Sequence, residues 1–286
     1  MENLQPRNNR VSTVLGRRLG SELLALRTAA GLNQGQAAKA LAASTGKIAK
    51  MESGWVPMRD PDIRVLCELY GADDPVLVGG LLELARLDRE RRKSKGWWDD
   101  FPSLGKMNEY VRLEDAAGSL RSWQLAYVPG LLQTPEYVRA LRDTTAEDDV
   151  VIAARLTRQR RLDSERPPSL LAVVYEAALR HLVGGPEVMR AQLDHLLVAT
   201  RRPHVTLRVL PFSAGALLGL NCTFNVLSFP EASAMDVVYV EAPFGGRWLE
   251  GGKEAVQHVE LFEKIAARAL SPRDSASLIT GIRDEL

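Results

Sequence analysis

The chain has 286 residues, of which 45% are hydrophobic and 26% charged, which is enough for two domains with real cores and argues against wholesale disorder. No run approaches the roughly 18 uninterrupted apolar residues of a membrane span, and the first residues lack the apolar core of a secretion signal, so a cytoplasmic protein without a membrane partner is expected. Cys67 and Cys222 are too few for a disulfide framework or a zinc cluster, and each sits in an apolar run as a small buried residue.

A net charge of +1 conceals an asymmetry. Residues 1–59 hold nine Lys/Arg against three acids, whereas residues 97–286 hold 21 basic and 25 acidic residues. A basic head on a mildly acidic body suits a polyanion-binding module joined to something of another kind.

Residues 1–12 read as a flexible polar arm, from which Arg7 and Arg10 can extend toward a minor groove. From Leu15 the apolar spacing is helical, through Leu19, Leu23 and Leu26 to a stop at Gly31. Asn33 is placed to cap a short helix over 34–41, and Ser44 to cap another over 45–52, ended by Gly54. A fourth helix starts at Arg59-Asp60-Pro61 and runs to Tyr70-Gly71; Asp74-Pro75 opens a fifth, to about Arg92. These elements predict an all-helical domain over 13–80, followed by a charged helical linker over 81–96.

After Trp97-Trp98 the texture changes. Residues 107–145 and 147–164 read as helices, the first interrupted by Val128-Pro129-Gly130. Strand-like runs follow at 170–175, 205–210, 222–229 and 237–241, with helical patterns at 187–200 and 252–270. One helix between the first two strands allows a parallel crossover, and the short later connections favour antiparallel pairing. The expected fold class is α + (α+β): an all-α N-terminal domain, then a larger α+β domain over 97–286 with a small mixed sheet of about four strands.

The segment 29–54 carries the chemistry. Two short helices crossing steeply need small residues where they meet, which Ala37 and Ala38 supply, while Leu32, Leu41, Ile48 and Met51 turn inward. That leaves Thr45, Gly46, Lys47, Ala49 and Lys50 over the remaining face, so that a helix held in this way enters the major groove by its N-terminal end. Residues 26–32 (Leu-Arg-Thr-Ala-Ala-Gly-Leu), 34–38 (Gln-Gly-Gln-Ala-Ala) and 48–54 (Ile-Ala-Lys-Met-Glu-Ser-Gly) resemble the Cro/repressor-type, xenobiotic-response-element (XRE) family of helix-turn-helix regulators. The resemblance implies that Gln34 bonds a phosphate and that Thr45, Gly46 and Ala49 face base edges, next to the capping Ser44. Lys47 and Lys50 would meet phosphates or guanine edges. It also makes Glu52 a structural acid and implies a dimer on a pseudo-palindromic operator. Gly46 and Ala49 stand where that family commonly has Ser, which thins the direct readout.

In the second domain, Gly96-Trp-Trp, Tyr127-Val-Pro-Gly-Leu-Leu-Gln-Thr-Pro-Glu-Tyr137, and residues 155–161 and 207–212 resemble the C-terminal domain of actinobacterial regulators of the WhiJ type. The resemblance implies a domain that senses a ligand or binds a small partner protein encoded nearby, in an antitoxin-like arrangement. Trp123, Tyr127, Leu131, Leu132 and Tyr137 are the candidates to line such a groove, and a helical core is the competing reading for each.

Enzyme chemistry finds little support. The four histidines are scattered, no Gly-x-Ser-x-Gly elbow exists, and the glycine-rich stretch 245–253 lacks the phosphate-loop spacing. Glu176 and Glu241, at strand ends, are a possible carboxylate pair, with solvated or salt-bridged acids the commoner reading. The expected function is a DNA-binding transcriptional regulator, with no cofactor, no metal and no catalytic residue. An antitoxin-like interaction protein that binds DNA for autoregulation is the alternative.

Overall fold

The computed structural model describes residues 12–105, 107–141, 148–230, 236–242 and 246–286, and the chain divides into two units, one ending at Lys95 and one starting at Gly96. The expected arm with Arg7 and Arg10 lies outside the described residues up to Ser12.

The first unit is helical: α1 (Val14–Ala29), α2 (Gln34–Ala40), α3 (Thr45–Glu52), α4 (Asp60–Tyr70) and α5 (Pro75–Lys93). Four of the five starts have a side-chain cap, while α4 has Pro61 in its first turn and no such cap. The Thr13 hydroxyl accepts from the Gly16 amide, Asn33 and Gln36 form a reciprocal capping box, Ser44 Oγ accepts from the Lys47 amide, and Asp74 caps α5 ahead of Pro75. Leu15, Leu19 and Leu23 of α1 pack into a core with Ala37, Ala38, Ile48, Met51, Ile63 and Leu66. Leu32 and Leu41, expected fully inside, are half-buried. Ala42, between α2 and α3, takes a left-handed φ of 47°, a conformation costing a non-glycine residue about 1–2 kcal/mol.

The linker expected over 81–96 is helical only to Lys93, and it is not a solvated spacer. Leu81, Leu84, Ala85, Leu87 and Asp88 are buried against the rest of the unit. Some of its charges cross-link the helices, while Arg86, Glu90, Lys93 and Lys95 stay exposed. Arg92 donates from Nε to Asp88 at 2.7 Å, and from Nη2 to the Thr13 hydroxyl at 2.8 Å and the Gly54 carbonyl at 2.7 Å. The Thr13 hydroxyl donates to Asp88, and Arg89 reaches the Met58 carbonyl at 2.6 Å.

The second unit is built on α6 (Met107–Ala116), β1 (Ser119–Gln124), α7 (Pro135–Ala140), α8 (Asp148–Gln159), β2 (Ser169–Tyr175), α9 (Glu176–Arg180), α10 (Pro186–Ala199), β3 (Val205–Leu210), β4 (Phe224–Ser228), β5 (Val237–Val240), β6 (Arg247–Leu249), α11 (Gly252–Arg268) and α12 (Pro272–Asp284). The sheet has six strands in the order β3-β2-β1-β4-β5-β6. β1, β2 and β3 run parallel, and β1–β4, β4–β5 and β5–β6 pair antiparallel. The unit is α+β with a mixed sheet, and the parallel β2–β3 crossover through α10 is as expected. Two strands and two helices are additions to the expectation, among them the short α9 directly after β2. β1 lies inside the stretch read as helix, β6 inside the glycine-rich stretch, and α12 beyond the last helix read, with its Ser271 hydroxyl capping the Asp274 amide.

The pleat gives the sheet two unlike faces. Trp123, Val173, Phe224, Val226 and Val238 pack on Phe262, Ile265 and Ala266 of α11. On the other face, Ser122 of β1 stands opposite Asn225 of β4, which stands opposite Tyr239 of β5. Among the described residues no helix is long and apolar enough to cross a membrane.

Two glycines of the first unit give opposite predictions. A Cβ on Gly20 would lie 2.2 Å from the Glu52 carbonyl oxygen, whereas one on Gly46 meets nothing nearer than 3.9 Å. Gly20→Ala is expected to destabilise the unit by about 1–3 kcal/mol through overpacking, and Gly46→Ala to stabilise it by about 0.8–1 kcal/mol. Urea unfolding of the full chain followed by circular dichroism checks both signs.

Candidate nucleic-acid interface

The N-terminal face of α3 is presented by restraints at both ends. Ser44 caps its start, with Oγ 3.2 Å from the Lys47 amide. Ile48 and Met51 hold its inner side, both almost fully buried. At its far end the Glu52 carboxylate takes a bidentate pair from Arg27, at 2.6 and 3.1 Å, and a third hydrogen bond from the Gln34 amide at 2.8 Å. Arg27 also donates to the Leu32 carbonyl at 2.7 Å. The Arg27 and Glu52 side chains are only 11% and 9% exposed, so this pair is internal. The hydrogen bond that Arg27 donates to Glu52 outweighs the opposing effect of burial and raises its pKa above the ordinary value.

These contacts sort the expected DNA-contacting residues. Thr45, Gly46 and Lys50 are exposed, Ala49 is half-buried, and Ser44 is exposed but engaged as the cap. Gln34 stands at the first position of α2, where its main-chain amide is a free helix-end donor in principle. Its side chain, however, is turned to Glu52 and not to the exterior. Lys47 is likewise partly engaged: Nζ lies 3.2 Å from Asp62, which Arg59 also grips at 2.9 Å. Burial alone would push the Asp62 carboxyl up; the hydrogen bonds from Arg59 and Lys47 outweigh it and hold the pKa below the usual range. Arg59, with a side chain 73% exposed, extends the basic face beyond α3. The sequence marked it only as the start of a helix, since nothing local shows that its carboxylate neighbour is shared with Lys47.

In the second unit, Trp123, Leu132 and Tyr137 are fully buried, which corrects their reading as a groove. Trp123 Nε1 donates to the Gly219 carbonyl at 3.0 Å, and the Tyr137 hydroxyl accepts from the Val128 amide at 3.2 Å. Burial, partly offset by that bond, pushes Tyr137 up to about 12. Tyr127 is exposed and stacked on His181. Together with Leu131 it lines a cavity of about 340 Å³ on the polar face of the sheet. Most of the cavity's polar groups escaped the sequence reading: Glu114 of α6, Ser122 and Gln124 of β1, Arg155 and Arg158 of α8, and Asn225 of β4. Arg158 and Glu114 form a bidentate pair at 2.5 and 2.6 Å, with the guanidinium 5.1 Å from the Tyr110 ring centre. Burial opposes the Arg158 charge, but Glu114 outweighs it and raises the pKa. Burial likewise drives Tyr110 well above the ordinary tyrosine value. Glu241 borders the same cavity; Glu176 does not, because it pairs with Arg180 at 2.7 Å and accepts from the Phe212 amide. The suggested carboxylate pair is therefore not assembled.

A helix-turn-helix domain model matches residues 18–78. A model described as a domain of unknown function, DUF5753, matches residues 107–281, more than half of the chain. The chain belongs to the DUF5753 family. No curated protein and no solved structure matches it. The DUF5753 match takes in the whole sheet and every residue named at the cavity. The helix-turn-helix match stops inside α5, short of Asp88 and Arg92, although these bind the start of α1 and the end of α3.

A depressed carboxylate pKa adds stability that is complete above the unfolded-state value and lost as pH falls through the folded one. For Asp62 that window lies below about pH 4. The stability difference between the wild type and Asp62→Asn is therefore expected to be constant near neutrality and to shrink in acid. Urea titrations at stepped pH measure it, and a gap that widens in acid contradicts the assignment.

Proposed function

We propose that this DUF5753 protein is a sequence-specific transcriptional regulator of the XRE type. In this reading it binds a pseudo-palindromic operator as a cytoplasmic homodimer, through Gln34, Ser44, Thr45, Gly46, Lys47, Ala49 and Lys50. One observation carries it: α3 is clamped at both ends and along its inner side while Thr45, Gly46 and Lys50 stay exposed. A short helix held in this way suits entry into the major groove by its N-terminal end. The basic balance of the first 59 residues supports a polyanionic partner. With Gln34 turned to Glu52, its phosphate contact is assigned to the main-chain amide at the start of α2. The small side chains at 45, 46 and 49 suit thymine methyl contacts, with the lysines supplying affinity.

The resemblance of the second domain supports a narrower placement among actinobacterial WhiJ-like regulators, in which it responds to a ligand or to a small partner protein. A regulator is favoured over an enzyme because the cavity's polar groups bind one another. Glu114 is matched by Arg158, and among the described residues no histidine or cysteine lines the space.

The test is a comparison of a duplex from the chain's own upstream region with a random duplex, for the wild type and a Lys47→Ala/Lys50→Ala protein. Wild type is expected to prefer its own region by about a thousandfold or more at moderate salt. The double variant is expected to weaken both complexes and to flatten the log–log salt slope by about one to two. No affinity for the upstream duplex at moderate salt overturns the reading. Asp62→Asn, which releases Lys47, is expected to move the slope the opposite way.

A further inference from the structure

We propose that the DUF5753 cavity binds a small organic amine, with its ammonium group on the Glu241 carboxylate. The inference rests on the reading that the second domain responds to a ligand, and it names the chemistry of that ligand.

The charges lining the cavity are Glu114, Arg155, Arg158 and Glu241. Arg158 and Glu114 satisfy each other in a bidentate pair, so neither is left to attract a ligand. Arg155 donates to the Gln133 side chain at 3.2 Å. Glu241 forms no ion pair with a described residue, although the Arg158 guanidinium nearby feels its charge. Its Oε1 instead accepts from the Asn225 amide at 2.8 Å and from the Gln124 amide at 3.5 Å. Gln124 and Asn225 are both only 7% exposed, whereas Glu241 is open to the solvent side of the cavity. Two buried amides thus hold the carboxylate in place at the edge of the cavity without forming an ion pair with it.

The surroundings favour a cation over a neutral donor. The Tyr239 and Tyr110 rings, 4.9 Å apart, form one wall, and Tyr127 is on the lining as well. Aromatic faces attract ammonium groups, and a carboxylate beside them adds its own charge to that attraction. Leu120, Leu131, Leu141 and Leu170 supply an apolar remainder suited to a short carbon chain. The volume of about 340 Å³ lies at the lower end of the range for small-molecule sites.

Ammonium groups come on plain amines and on amino acids, and Arg155 is the group that separates the two by accepting a carboxylate. The experiment uses the full-length protein without DNA. Thermal shift and calorimetry are run against sets of short-chain compounds that share a carbon skeleton and end in an amine, an α-amino acid, an alcohol or a carboxylate. Amine-bearing members are expected to raise the melting temperature and bind saturably, while the matched alcohols and carboxylates do not. Amino acids that bind more tightly than the matched plain amines, which themselves bind, point to a carboxylate contact with Arg155. Glu241→Gln keeps the oxygen that accepts from Asn225 and Gln124 but removes the charge. It is expected to melt like the wild type without ligand and to bind the amines at least tenfold more weakly. Amines that act no better than the alcohols, or that bind Glu241→Gln equally well, overturn the proposal. A protein that binds its operator but no amine loses this site and remains a regulator. One that binds amines with no effect on operator affinity keeps the site and loses the sensing role.

Discussion

The end of α3, from Glu52 to Gly54, is where the restraints of the first unit meet. α1 brings Gly16 and Gly20 to this point, one turn apart on the same face. A side chain at Gly20 would run into the Glu52 carbonyl, and one at Gly16 into Thr13, Arg92 and the Gly54 carbonyl. Gly54 is itself left-handed, with φ +71°, and lies against the backbone of Gly16 and Arg17. The two helices therefore approach backbone to backbone, closer than any pair of side chains would permit. The polar groups around the contact follow from this closeness. Glu52 turns its carboxylate to Arg27 and Gln34, while the Gly54 carbonyl, left over at the helix end, is taken up by Arg92.

That geometry changes the standing of α5. Its charged second half has the composition of a spacer, yet Arg92 reaches the start of α1 and the end of α3 from one guanidinium. The Asp88–Arg92 pair is nearly inaccessible, with side chains 2% and 7% exposed. Breaking a buried pair by removing one partner commonly costs about 3–5 kcal/mol. The position of α3 thus depends on residues about 35 to 40 positions downstream, and the chain leaves the first unit directly from the helix that carries them.

What was legible in the sequence was what is decided locally. Asn33, Ser44 and Asp74 act as caps where their side chains predicted it, because a cap is a bond over two or three residues. The four apolar strand runs emerged for the same reason. Of the two strands that escaped, β1 reads Ser-Leu-Arg-Ser-Trp-Gln. Its inward residues on the cavity side are Ser122 and Gln124, so polar residues occupy positions where burial usually demands apolar ones, and the alternation of a strand disappears. The cavity hid its own wall. Its other groups were equally out of reach, since Arg158 and Glu114 meet across 44 residues and Glu241 and Asn225 across 16. The Asp62 partner of Lys47 was out of reach in the same way, because it lies in another helix.

β1 is also the strand on which the second unit turns. It pairs parallel with β2 on one edge and antiparallel with β4 on the other, so both halves of the mixed sheet are joined through it. Its pleat sends Trp123 into the core against α11 and sends Ser122 and Gln124 into the cavity. A slip of one residue would bury Gln124 among Phe224 and Phe262 and drive the indole into the polar space. Both errors are costly, the first because an unsatisfied amide in an apolar core loses its hydrogen bonds. The indole bond to Gly219 and the Gln124 bond to Ser122 exist together only in the observed register. The hydrophobic core and the polar cavity are therefore not separate solutions. One strand with two incompatible faces specifies both, and the residues that interrupt its apolar pattern help to fix its place.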